Sequence, residues 1–140
     1  MSRPIWTEDE IFLVAERGHA LFLQGRYEEA TIIFEGLRTV DPSNAYCVNA
    51  LAALYIRKGQ VPRAVELLSG ILESNPDDVQ SRSRRCEALL LLGRWADARE
   101  DFAILKLSRN PELDRLQVLL NVAEASTPPL KQLSRAMFDN

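Results

Sequence analysis

Cysteine, histidine, long apolar runs and excess positive charge are all scarce in this 140-residue sequence. Its two cysteines, Cys47 and Cys86, stand far apart, and His19 is the lone histidine. Together they fall short of the four ligands that hold a structural zinc. Without a secretory leader they do not read as a disulfide framework either. The longest apolar stretches, such as Ala50 to Tyr55 and Ala88 to Leu92, are far below the roughly 20 residues needed to cross a bilayer. The opening residues Met1 to Glu10 lack a basic segment followed by an apolar one, so no signal peptide is read there and the cytoplasm is the expected location. Lys and Arg number 17 against 20 Asp and Glu, giving a net charge of −3. No basic stripe is available for phosphates, which argues against a nucleic-acid partner.

What is present is a soluble, foldable composition: 46% hydrophobic and 26% charged, with six glycines and seven prolines. At this length a single domain over 1–140 buries roughly two-thirds of its unfolded surface. The dominant signal is an internal repeat. Gly25, Gly59 and Gly93 are 34 residues apart, as are Ala30, Ala64 and Ala98, and Phe34, Leu68 and Phe102. Leu21, Tyr55 and Leu89 share that register, as do Leu37, Ile71 and Leu105.

Within each repeat, apolar residues recur three and four apart on either side of the glycine, which predicts two helices. The predicted pairs are 8–23 with 27–40, 44–57 with 61–74, and 78–91 with 95–108. Each glycine falls where the first helix ends, a place that favours left-handed backbone angles. The alanine column marks a close helix crossing. Pro42 and Pro76 close their repeats, because proline denies helical geometry to the residue before it. Thr7, followed by Glu10 three residues on, forms a capping box, with Trp6 and Ile11 placed as a staple. A further stripe of Leu113, Leu116, Leu119, Leu120 and either Val122 or Ala123 predicts a helix over 112–125. Thr127-Pro128-Pro129 then breaks the chain, and Leu130, Leu133, Met137 and Phe138 suggest a short tail helix over about 129–138, either docked on the solenoid or free for a partner.

At these residues the chain resembles the tetratricopeptide repeat family. The first repeat matches through Gly18, Leu21, Ala30, Phe34, Leu37 and Pro42. The second matches through Leu51, Ala52, Tyr55, Ala64, Leu68, Ile71 and Pro76, and the third through Cys86, Leu89, Ala98, Phe102 and Leu105. The resemblance implies an all-α right-handed solenoid with repeats at about 11–44, 45–78 and 79–111, and the helix at 112–125 as a cap for the last one. Arg17, Arg82 and Arg85 depart from the pattern, which prefers apolar residues there. Pro111, one residue late, is a further departure.

No catalytic or cofactor-binding motif is present, so neither an enzyme nor a cofactor is expected. The acids Glu8, Asp9, Glu10, Glu28 and Glu29 sit at helix N-termini, where the helix dipole favours them. Cys86 occupies a small-residue packing column and reads as a buried apolar filler. Trp95 shares a packing column with Tyr27 and Val61. Arg82, Arg84 and Arg85 read either as a solvated helix face or as a clamp for an acidic partner.

In a tetratricopeptide stack the first helix of each pair lines the concave surface. The resemblance therefore implies a groove built from Phe12, Ala15, His19 and Phe22; Tyr46, Asn49, Ala50, Ala53 and Ile56; and Ser83, Arg84, Glu87 and Leu90, part of which must serve inter-repeat packing. Apolar and aromatic residues there point to an extended peptide with apolar anchors. Cochaperones that grip acidic heat-shock tails carry Lys, Asn and Arg at positions where this chain has Ala15, His19, Ala50, Gln80 and Arg84. Arg84 alone fits, which argues against that function.

More narrowly, Gly25-Arg26-Tyr27-Glu28-Glu29-Ala30, Phe34-Glu35-Gly36-Leu37, Val40-Asp41-Pro42 and Cys86-Glu87-Ala88-Leu89-Leu90 resemble the small acidic chaperones of bacterial type III secretion translocators. That resemblance implies a cytosolic chaperone or adaptor for a protein client, and it leaves room for a homodimer. The competing expectation is a scaffold subunit that binds through its convex face and tail.

Overall fold

The structure, a computed structural model, describes residues 6–126. Among these residues seven helices run α1 (Glu8–Leu23), α2 (Tyr27–Val40), α3 (Ala45–Arg57), α4 (Val61–Ser74), α5 (Val79–Leu91), α6 (Trp95–Leu105) and α7 (Leu113–Ser126). No strand occurs among the described residues. Consecutive helices pack as antiparallel hairpins, and the hairpins stack, with α3 against α1, α5 against α3, and α7 against α5 and α6.

Local chemistry sets the joints. Thr7, Asn44 and Asp78 cap α1, α3 and α5, their side-chain oxygens accepting from the amides of Glu10, Cys47 and Ser81 at 3.1, 3.2 and 3.1 Å. The same helices end alike. Gly25, Gly59 and Gly93 take φ of 76, 77 and 74°, and the next amide donates back to Leu21, Tyr55 and Leu89 at 2.9, 2.7 and 2.9 Å. One turn chemistry used three times gives three hairpins of one geometry. Ala30, Ala64 and Ala98, fully buried, let the paired helices approach.

α6 stops at Leu105, short of the predicted residue 108. Its last turn tightens, with the amides of Leu107 and Ser108 donating to Ile104 and Leu105. In α7, Leu116 and Leu120 are buried and Leu113 and Leu119 pack beside them. Val122 is 56% exposed and Ala123 half-buried, so Ala123 is the residue that continues the apolar stripe. The predicted tail helix over 129–138, with Leu130, Leu133, Met137 and Phe138, lies outside the described residues.

Among the described residues the core has two apolar clusters. One joins α1 to α4 around Phe34, Leu37, Leu51 and Leu68; the other joins α4 to α7 around Leu89, Phe102, Leu105 and Leu116. Ile56 touches both. Trp95 packs against the second, as its column implied, with its indole N–H buried and without an acceptor among the described residues.

Two of the three arginines are neither a solvated face nor a clamp for a partner. Arg82 and Arg85 turn inward onto Asp101 of α6, which is 2% exposed. Arg82 donates to its Oδ1 at 3.0 Å, and Arg85 meets Oδ1 at 2.6 Å and Oδ2 at 2.8 Å. Arg82 also bonds the Pro76 carbonyl at 2.9 Å and Arg85 the Ser69 hydroxyl at 3.2 Å. The polar start of α5 is therefore a buried charged joint between α5 and its neighbours.

Candidate functional site

The small-residue and leucine columns of α1, α3 and α5 turn toward their paired helices, which leaves the opposite faces of these helices on the concave side. Three clefts follow one another along it. The first, about 710 Å³, is lined by α1 and the segment leading into α3, including Ile11, Phe12, Ala15, Leu23, Asp41, Asn44 and Cys47. The second, about 230 Å³, brings together His19, Phe22, Tyr46, Asn49, Ala50, Ala53, Gln80 and Arg84. The third, about 420 Å³, lies between α5 and the start of α7 and includes Ser83, Arg84, Glu87, Asn110, Glu112 and Arg115.

Most residues expected in the groove line one of these clefts. Phe12 and Tyr46 are 61% and 54% exposed, a high solvent cost for large side chains left uncovered. The His19 ring stacks on Phe22 at 6.5 Å, and Phe22 meets Tyr27 at 5.6 Å. Ala53 is half-buried in the second cleft. Ala15, though it lines the first cleft, is almost wholly buried. Ile56 and Leu90 go instead into packing between helices.

Asn49 is a buried polar bridge between repeats. Its amide donates to the Ala45 carbonyl at 3.0 Å and to the Ser81 hydroxyl at 2.7 Å, while its oxygen accepts from Arg84 Nε at 3.3 Å. Burial pushes the Arg84 guanidinium below its ordinary value. Cys47 is fully buried at the floor of the first cleft, and burial, then Asp41, pushes its thiol up. Reading helix columns alone missed Asp41, Asn44, Asn110, Glu112 and Arg115, because these come from the connections and from α7. The pattern Asp41-Pro42-Ser43-Asn44 was a turn-and-cap signal placed beside the groove.

Comparison with known proteins bears on this arrangement. A sequence model of the Tetratricopeptide repeat family matches residues 21–85. The first tetratricopeptide domain of Spaghetti (RPAP3), bound to the HSP90 peptide SRMEEVD, superposes with a TM-score of 0.75 over 88% of this chain and 99% of that one, at 23% identity. The fold is that of a tetratricopeptide repeat protein. Among other solid matches to this tetratricopeptide solenoid is the Yersinia enterocolitica type III secretion chaperone SycD, in complex with a peptide of the translocator YopD. Its TM-score is 0.74 over 86% of this chain and 96% of that one, at 19% identity. In sequence, the mitochondrial import receptor subunit TOM70 of Saccharomyces cerevisiae is 28% identical over 93 residues, covering 66% of this chain and 15% of the receptor. The chain spans under a fifth of the length of the curated relatives it matches. No helix among the described residues is long and apolar enough to cross a membrane.

Proposed function

We propose that this tetratricopeptide solenoid is a cytosolic chaperone or adaptor that holds an extended client segment in its concave groove. The observation that carries the reading is the run of clefts along α1, α3, α5 and α7, with Phe12 and Tyr46 left uncovered on it. An extended segment laying apolar side chains there would remove that surface from water, worth roughly 25 cal/mol per Å² before ordering costs. The structures it resembles include two that hold peptides, by their own descriptions. The finer assignment we favour is a translocator chaperone of type III secretion, supported by the likeness to SycD and by the strings around Gly25, Phe34 and Cys86.

The test is purification of the chain with its client from the native host, followed by titration of the client segment against wild type and Ala53→Glu. Ala53 lines the middle cleft, so a carboxylate there loses water when an apolar anchor docks. Affinity should fall about tenfold or more, with an unchanged melting curve. Unchanged affinity would move the site off the concave face. A scaffold role is the second reading. It is favoured by a cleft of about 510 Å³ lined by Arg38, Arg63, Leu67 and Ile71 on the even-numbered helices and Tyr55 of α3. Stable complex subunits in place of one secreted or membrane-destined client would favour it.

A further inference from the structure

The groove reading above leaves the chemistry of the bound segment open, and the charges along the groove define it. The three clefts share lining residues and form one trough: His19 and Tyr46 face both the first and second, and Gln80 and Arg84 face both the second and third. Charge is unevenly spread along it. The first cleft sets Glu8, Glu16 and Asp41 around an apolar floor and includes no Lys or Arg in its lining. In the second, Arg84 is the one Lys, Arg, Asp or Glu among the lining residues.

Arg84 is compensated only at a distance, by Glu87 and Glu112 in the third cleft, where Arg115 opposes them. It is half-buried, its Nε donates to the neutral Asn49 oxygen at 3.3 Å, and no carboxylate among the described residues forms an ion pair with it. Glu87, one turn further along α5, is taken by Arg115 at 2.6 Å, and Arg115 also holds Glu112 at 2.7 Å. A guanidinium stripped of part of its water, with its natural partner engaged elsewhere, gains more than usual from an anion brought by a ligand. At the other end, a carboxylate rim around apolar walls favours a long basic side chain, whose stem can lie on the wall while its charge meets the acids.

We infer that the trough selects a charge-polarised segment: extended, with apolar anchors between a basic side chain seated among Glu8, Glu16 and Asp41 and an acidic side chain set against Arg84. This rests on the concave groove being the binding site. The reversed order brings like charges together at both ends, so the segment lies in the trough in one orientation.

The experiment selects a random-peptide library displayed on phage against the full chain, and repeats the selection on Arg84→Gln, on Glu16→Gln with Asp41→Asn, and on Ala53→Glu. Each variant's melting curve is recorded. The expected consensus has apolar residues between one basic and one acidic position in fixed order. Arg84→Gln should erase the acidic preference alone, and the Glu16→Gln, Asp41→Asn variant the basic preference alone. A selected peptide should lose about tenfold in affinity for Arg84→Gln, whereas the same peptide with its acid changed to amide should bind both proteins equally. Should Arg84→Gln fail to fold, the acidic-rim variant, altered at partly or fully exposed residues, decides the matter through the basic position. An uncharged apolar consensus, a reversed order, or charge preferences that survive the variants would overturn the polarity while leaving the groove in place. Binders insensitive to Ala53→Glu, or no enrichment at all, would overturn the groove reading with it.

Discussion

A Cβ added to Gly18 would lie 2.6 Å from Phe34 Cε2 and 2.9 Å from Ile33 Cγ2, inside van der Waals contact. The fully buried Ala52 and Cys86 stand at the matching positions, so this small-residue column sets how closely each hairpin closes. Gly18→Ala should therefore destabilise by about 1–3 kcal/mol in a urea titration, because the Phe34 ring must shift. Gly36, inside α2 and facing open space, is the opposite case. Gly36→Ala should stabilise by about 0.5–1 kcal/mol through the lower entropy of the unfolded chain. Cys86 shows what the column does to chemistry. Its thiol donates to the Ala98 carbonyl at 3.3 Å, and burial, then Asp101 and Glu87, push it up to about 12 from 9.0. A folded-state value raised above the unfolded one gives stability that is whole below pH 9 and is lost as pH rises from there toward 12. At pH 8 a disulfide reagent should modify Cys86 only at the rate of unfolding, and fast labelling in the native state would contradict its burial.

At the scale of the element, α5 gives the clearest lesson about what a sequence discloses. Column reading placed six of the seven helices among the described residues within a residue of their observed ends, because caps, glycines and apolar spacing all agree locally. It misjudged Arg82 and Arg85, since their partner lies 16 to 19 residues away on α6. The signal was nevertheless there. In the repeat register Arg82 stands where Val14 and Val48 do, Arg85 where Arg17 and Leu51 do, and Asp101 where Ile33 and Leu67 do. Two apolar columns therefore turn charged in the same repeat, with signs that attract, and no isolated substitution of that kind would be tolerated in a buried position. Asp101→Asn leaves two guanidinium groups buried without a counter-charge and should cost about 3–5 kcal/mol, read as a fall in the urea midpoint. A small change would mean that the site admits water. The double replacement of both arginines by apolar residues, with Asp101→Leu, should restore much of the loss.

For the molecule as a whole, the 34-residue register made the solenoid legible and the helix faces that form the groove nearly so. The connecting segments and α7 stayed obscure, because their contribution depends on how far each hairpin is rotated against the next, which no column records. Stability is equally collective. Ala64, fully buried in the first cluster, lies between the outer hairpins, and Ala64→Arg should unfold the chain or lower its melting temperature greatly. The charge must be buried and the helices pushed apart, a cost on the order of several kcal/mol, followed by circular dichroism.

The stacking of the hairpins carries a mechanical consequence. Among the described residues α1 touches α2 and α3 and no later helix, and α7 touches α5 and α6 and no earlier one, so no described contact ties one end of the trough to the other. Each hairpin contacts only its neighbours, so small rotations between successive hairpins add along the stack. A change in the curvature of the stack is thus shared among the joints between hairpins, which are packed by the two apolar clusters. A segment held along the trough, as proposed, would span several of these joints and so fix the rotations between them at once.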